Sequence, residues 1–327
     1  MYDTRKIIAR LAMLATAVLG AGANAGAAEG CAAPYIKMVV PNPAGGVGDV
    51  ISRAIAEKAS TYLGKTIVIE NRAGATTTIG TDIVAKAAPD GCTVLSLTTS
   101  GVVASILMPK LAYDLQRDFV PILGIGSFPM VAVVSVGSKI QSFADLEKAA
   151  KSPQGVVYAS GGVGTLAHLS AARLVNDWGG TALHVPFRGS ADAVQALLGN
   201  QVQLFFSSSA EASSLAATGK VRLLAITSEK RLASLPDVPT MGELGYGNFN
   251  PRLWYAFLAP ARTPPEVVAR LYDAFAKAVT DKAVQERFAG LGFATDATNS
   301  ASATAYMKSE AERWGKVIRD NNIQASQ

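Results

Sequence analysis

The chain has 327 residues, 49% of them hydrophobic, which is enough apolar material for large buried cores. Thirty Lys and Arg against 25 Asp and Glu give a formal charge of +5. That balance, spread along the chain without a basic block, suits small acidic ligands and is too mild to point to nucleic acid.

The first residues read as an export signal. Arg5, Lys6 and Arg10 make a positive start, Leu11 to Ala23 is apolar and Ala-rich, and small residues offer cleavage near Ala25 to Ala28. The apolar run is shorter than the about 20 residues of a spanning helix. Glu29, two residues before Cys31, argues against lipidation there. Residues 1–25 are therefore read as a signal peptide on a periplasmic chain, and the remainder is long enough for two domains of about 150 residues. Cys31 and Cys92 are the only cysteines and form no C-x-x-C motif. Both precede predicted strands. In an oxidising compartment they pair if those strands are neighbours, which the sequence leaves open.

Ile36 to Val40 reads as a strand stopped by Pro41 and Pro43. Ala44 to Gly48 is a side-chain-poor loop, Asp49 sits where a helix N-cap belongs, and residues 50–63 carry an apolar helical face. A strand, Gly loop and helix in series present backbone N–H groups to an anion. The same stretch also serves as a tight turn that binds nothing. It is not the dinucleotide fingerprint, because Ile51 stands where a third small residue is needed. A strand at 66–70, a loop at 71–75, a helix to Ala88, the turn Pro89-Asp90-Gly91 and a strand at 94–98 complete a βαβαβ unit. Its sheet should be mostly parallel, with loops 41–49, 71–76 and 98–101 facing one crevice.

Two β-type runs, 118–126 and 129–136, are separated by Ser127-Phe128 and read as a crossover into a second α/β unit. There a helix at 143–151, a strand at 156–159, a Gly loop at 160–165 and a helix bearing Leu166, Leu169, Leu174 and Trp178 follow in turn. A strand at 183–187 leads to Arg188-Gly189-Ser190-Ala191, which opens another helix. A strand at 202–206 ends in Ser207-Ser208-Ser209. Strands at 221–227 and 254–259 flank the rigid loop Pro236-Asp237-Val238-Pro239. Thr263-Pro264-Pro265-Glu266 is a helix start with Thr as N-cap and Pro at N1. This helix and those at 282–291 and 302–319 are expected to pack on the first domain.

His168 and His184, the only histidines, have no carboxylate or thiol at ligand spacing, so no metal is expected. No nucleophile elbow or Walker loop occurs, and no cofactor is expected. His168 lies one turn into its helix, where it either donates to an anion or packs; His184 reads as a packing residue. Gly162 to Ala167 matches G-x-G-x-x-A, with Arg188 about where a 2′-phosphate partner would sit. That keeps an NADP-dependent oxidoreductase as a minor alternative, weakened by the missing acidic ribose partner.

Several segments together resemble one family. They are Val39 to Gly46 with Asp49, Glu70 to Ala75, Ala88 to Gly91, Tyr158 to Thr165 with His168, His184 to Ser190, Leu224 to Thr227, Pro236 to Thr240 and Leu258 to Pro260. In this they are similar to the substrate-binding receptors of tripartite tricarboxylate transporters, the Bug-type proteins. The resemblance implies an α/β, type II periplasmic-binding-protein fold: two mostly parallel sheets joined by two crossing strands, with a ligand in the interdomain cleft. It implies residues 34–127 and 255–327 as domain 1 and 128–254 as domain 2. It also implies a monomeric, non-enzymatic receptor that closes by a hinge on a small carboxylate and delivers it to a membrane permease. A sensor serving a signalling partner would share this fold. The carboxylate role falls on Asn42, Pro43, Ala44, Gly45 and Gly46 with Asp49, on Gly74, Ala75 and Thr76, and on Thr98 and Ser100. The second domain would grip the rest through Ser160, Gly161, Gly162, Gly164, Thr165 and His168, through Arg188, Gly189, Ser190 and Ala191, and through Ser207 and Ser208. Cys92 stands where the family usually has Tyr, and Asn42 replaces a commoner aromatic residue, which leaves the ligand type open.

Overall fold

The structure, a computed structural model, describes residues 30–108 and 110–325. The export signal lies outside the described residues. Among them no helix is long and apolar enough to cross a membrane.

The first sheet grows from β1 (Tyr35–Val40), in which Ile36, Met38, Val39 and Val40 are buried, with neighbouring residues on both faces. It pairs in parallel with β2 (Thr66–Asn71) and β3 (Thr93–Thr98). Between β1 and β2 runs α1 (Val47–Leu63), which buries Ile51, Ile55 and Ala59 and ends on Gly64 in a left-handed turn. Its N-cap is Gly46, not Asp49. Asp49 instead sits in the first turn, and its carboxylate accepts the Gly45 N–H at 2.9 Å, closing the loop from inside the helix. The strand order β2-β1-β3 continues through antiparallel β9 (Arg252–Pro260) to β4 (Phe119–Ser135), and β10 (Ala294–Thr298) pairs with β4.

The two runs expected at 118–136 form one continuous strand, because Ser127 and Phe128 are buried and pair with Trp254 and Leu253. Its prolines stand where a ladder tolerates them. Pro121 borders a register shift, and Pro129 is the last residue paired to β9 before β4 changes partners. From Met130 onward β4 pairs with β7 (Leu204–Ser208) and β8 (Val221–Ile226) in a second sheet, which β5 (Val156–Ser160) and β6 (Ala182–Pro186) complete in parallel. The second lobe's helices are α4 (Phe143–Ala150), α5 (Leu166–Asp177), α6 (Ser190–Leu198) and α7 (Ser209–Ala216). Two lobes, joined by β4 and β9, make the two-domain α/β architecture.

In the first lobe, α2 (Thr78–Ala85) and α3 (Thr99–Leu107) cover one face of the sheet, while α1, α8 (Pro265–Thr280) and α9 (Lys282–Gly290) cover the other. The N-cap of α8 is Pro264 rather than Thr263, whose hydroxyl is buried without a partner. The last helix, α10 (Ser300–Asp320), does not stay on the first lobe. Ala303 and Met307 pack there, but Trp314, Val317 and Ile318 join the core of the second lobe. Val103 of α3 does the same.

Adjacent β1 and β3 bring Cys31 and Cys92 together, and the two are joined in a disulfide with Cα atoms 4.6 Å apart. The bond spans 61 positions of chain. A loop of that size restricts the unfolded chain by about 4 kcal/mol in the chain-entropy account. The Cys31→Ser, Cys92→Ser double variant should therefore unfold at a clearly lower temperature than the oxidised protein in calorimetry; equal midpoints would show that the bond adds nothing.

Candidate ligand-binding cleft

A cavity of about 460 Å³ opens between the lobes. Of the residues singled out in the sequence, it brings together Asn42 and Pro43 after β1, Gly74 and Thr76 after β2, Ser100 after β3, and Gly161, Gly162 and Thr165 after β5. These are strand C-termini, as the crevice rule for open α/β sheets requires. Val163, within the Gly loop 160–165, lines it too, as do Ala104 and Leu107 of α3, Met108 just beyond, Thr77 and Ala325, and the sequence reading missed these last five. A wider groove of about 700 Å³ lies on the other face of α3, lined by Ile106, Tyr113 and Met307, and no predicted loop reaches it. The signal for α3 was present: Val102, Val103, Ile106 and Leu107 recur at helical spacing. Gly101 and the β-branched valines argue weakly against a helix, and tertiary packing overrides them.

The first-lobe loops are held from behind. Asp49 is buried, and its carboxylate accepts from the Gly45 N–H, Arg53 Nε and Asn71 Nδ2, each at 2.9 Å. Burial works against its charge, but the Arg53 and Asn71 bonds and the Gly45 N–H outweigh it and hold its carboxyl below the ordinary carboxylate value. Asn71 also donates to the Asn42 carbonyl at 3.1 Å, tying the loops after β1 and β2 together. Ala44, Gly45, Gly46 and Asp49 thus shape the cleft without lining it.

Three consecutive residues, Ala75, Thr76 and Thr77, have left-handed backbones with φ of 43, 52 and 76°. Non-glycine residues avoid this region, β-branched ones most of all. Such strain persists where the surroundings over-determine it, typically at ligand clamps.

The helix N-termini divide into two classes. Side chains of Ser142, Thr165, Ser208, Asp281 and Asn299 cap α4, α5, α7, α9 and α10. The N-termini of α1, α2 and α3, which follow β1, β2 and β3, have no side-chain cap, nor do those of α6, at Gly189, and α8, at Pro264. Thr77 and Thr98 occupy two of these N-cap positions, yet their hydroxyls are buried and make no hydrogen bond. Two of these uncapped N-termini, those of α2 and α3, open at the cavity, where Thr77 and Ser100 line it, and they concentrate backbone donors and positive dipole ends there, the arrangement that holds an anion.

The second-lobe loop is organised by the histidines. The rings of His168 and His184 stack at 3.7 Å, and Tyr158 stacks on His184 at 5.0 Å. His168 Nδ1 accepts the Gly164 N–H at 3.1 Å. His184 Nε2 lies 2.7 Å from Ser160 Oγ, which in turn accepts the Gly162 N–H at 3.1 Å. Burial pushes His168 down to about 3, with His184 adding to the effect, and pushes His184 down to about 4. Neither lines the cleft; both support the loop that does.

Arg188 is exposed and makes no ion pair among the described residues, and Gly189, Ser190 and Ala191 stand behind Gly161 rather than in the cavity. Ser207 donates to Glu211 at 2.7 Å, and Ser208 caps α7. Among the described residues no group of three His, Cys, Asp or Glu is placed to hold a metal ion.

Thr76→Gly should raise the stability of the ligand-free protein by about 1 kcal/mol, since glycine adopts the left-handed backbone without penalty. A lower unfolding temperature would show that no strain is stored there. A second expectation concerns pH. Because both histidines titrate below their ordinary 6.5, the unfolded chain binds protons that the folded one refuses below that pH. Stability is complete above pH 6.5 and falls as pH drops towards the folded values. Wild-type unfolding temperature should already decline between pH 6.5 and 5, above the carboxylate range, while the His168→Gln, His184→Gln double variant stays level there. A flat wild-type profile would contradict the assignment.

Comparison with known proteins agrees with this geometry. The sequence pattern of the tripartite tricarboxylate transporter family receptor matches residues 51–323. The "UPF0065 protein in tcbD-tcbE intergenic region" of Pseudomonas sp. (strain P51) is 38% identical, over 89% of this chain and 88% of that one. Among solved structures, the periplasmic binding protein BugD is 32% identical with a TM-score of 0.77, over 89% of this chain and 99% of that one. Rpa4515 of R. palustris, solved with adipate, is 27% identical with a TM-score of 0.79, over 89% and 98%. The chain belongs to the tripartite tricarboxylate transporter receptors, a family of periplasmic solute-binding proteins.

Proposed function

We propose that this chain is an exported, monomeric receptor that takes a small carboxylate into the cleft between its lobes and hands it to the permease of a tripartite transporter. The observation that carries the reading is the pair of uncapped helix N-termini, those of α2 and α3, that open at the cavity after β2 and β3. The carboxylate takes the place of the missing caps, with Asn42, Thr76, Thr77 and Ser100 around it. The adipate bound by Rpa4515 supports the same ligand chemistry. Residues 34–127 with 255–327 up to the middle of α10 act as one body, and 128–254 with the end of α10 act as the other, hinged on β4, β9 and α10, so that closure seals an anion first held by the first lobe. The N-terminal basic and apolar run directs export.

A nicotinamide enzyme is disfavoured by the Gly162–Ala167 loop itself. Thr165 caps α5, and the Gly164 N–H is taken by His168. Those donors are therefore unavailable to a pyrophosphate.

The test is a thermal-shift screen of the mature protein, stripped of ligand by unfolding and refolding with the disulfide intact. The panel holds carboxylates and NADP. A ligand at 100 times its Kd adds about 2.7 kcal/mol, enough for a clear shift. A shift with a carboxylate is expected; a shift with NADP alone would overturn the reading.

A further inference from the structure

We infer that the cleft selects an acid with a single carboxylate and an apolar body, and that α3 sets this preference; the inference rests on the carboxylate-receptor reading above. The two sides of the cavity differ in chemistry. On the first-lobe side stand Asn42, Thr76, Thr77 and Ser100 with the uncapped starts of α2 and α3. That side offers donors for one carboxylate.

The opposite side offers contact area. Ser100, Ala104 and Leu107 recur at i, i+4 and i+7 along one face of α3, so one helix runs from the anion end to an apolar end, with Met108 just beyond. Val163 of the second lobe continues the apolar wall. Leu107 bridges the lobes: a Cβ built on Gly164 would lie 2.5 Å from Leu107 Cδ1.

Most of the second-lobe donors at the cavity are already spent, leaving the backbone N–H groups of Gly161 and Val163, which carry no charge. Thr165 donates its hydroxyl to the Gly162 carbonyl at 2.8 Å. The N–H groups of Gly162, Gly164 and Thr165 donate to Ser160 Oγ, His168 Nδ1 and the Gly162 carbonyl. No described residue lining the cavity carries a formal charge. A second carboxylate lying against Ala104, Leu107, Met108 and Val163 would lose water and gain no counter-charge, a costly exchange. A hydrocarbon body there buries apolar area instead.

The experiment uses matched acids that differ only in the second carboxylate: hexanoate against adipate, and benzoate against terephthalate. Each is titrated calorimetrically into the ligand-stripped mature protein. The monocarboxylate should bind at least tenfold more tightly in the pair that fits the cleft. Tighter binding of the dicarboxylate would overturn the inference and leave the receptor reading standing. Failure of every carboxylate, here and in the wider panel, would overturn both. Met108→Lys, at a half-buried position beyond the end of α3, places a cation at the apolar end and should shift the ratio towards the dicarboxylate. With an unchanged unfolding temperature and an unchanged ratio, the assignment of selectivity to this wall would be wrong.

Discussion

The hydroxyl of Thr227 holds the point where the two lobes meet. It accepts the Met130 N–H at 2.8 Å and donates to the Pro251 carbonyl at 2.7 Å, while the Thr227 N–H donates to the Met130 carbonyl. Met130 is where β4 leaves β9 for the second sheet, and Pro251 immediately precedes β9. Two backbone groups that would otherwise be unpaired in a buried place, the Met130 N–H and the Pro251 carbonyl, are thereby satisfied by one buried side chain. Pro129, which has no N–H to leave unpaired, completes the junction. The spacing of the lobes, and hence the cleft, depends on this knot of hydrogen bonds.

From that junction the cleft inherits a division of labour. The first lobe presents helix starts whose caps are absent, held in place by Asp49 and Asn71 from behind. The second lobe presents a loop most of whose donors are consumed internally, those of Gly162 and Gly164 by Ser160 and His168, with His184 holding Ser160 in turn. One side is therefore prepared for charge and the other for shape. The strained backbone at Ala75–Thr77 falls on the charged side, where a fixed geometry matters most because hydrogen bonds depend on direction.

Much of this was legible in the sequence because it rests on local chemistry. The Gly-rich loops after β1 and β5, the parallel βαβ order and the family segments all survive translation into structure. The pairing of Cys31 with Cys92 was left open by the sequence and is decided by the adjacency of β1 and β3. The parts that were not legible depend on tertiary context. Helix α3 carries a helical spacing in Val102, Val103, Ile106 and Leu107, but its Thr-Ser-Gly-Val-Val opening has residue propensities that mask it. Asp49 looks like an N-cap, but the helix begins three residues earlier, after Gly46, because its carboxylate reaches back to Gly45. Arg188 has the charge for a ligand contact, yet it is exposed and stands outside the cavity. The passage of α10 from one lobe to the other leaves no local signal, since Trp314 packs the same way in either core.

That passage of α10 has a consequence for the order in which the molecule takes shape. The second lobe is spelled out between β4 and β9, but Trp314, Val317 and Ile318 of its core are translated only after most of the first lobe. A chain emerging from the ribosome has no complete second core until those residues are available. Contacts between distant parts of a chain also form slowly. The second core is therefore closed last, by a segment spelled out after the first lobe, so loss of the end of α10 would leave that core open while the first remains filled.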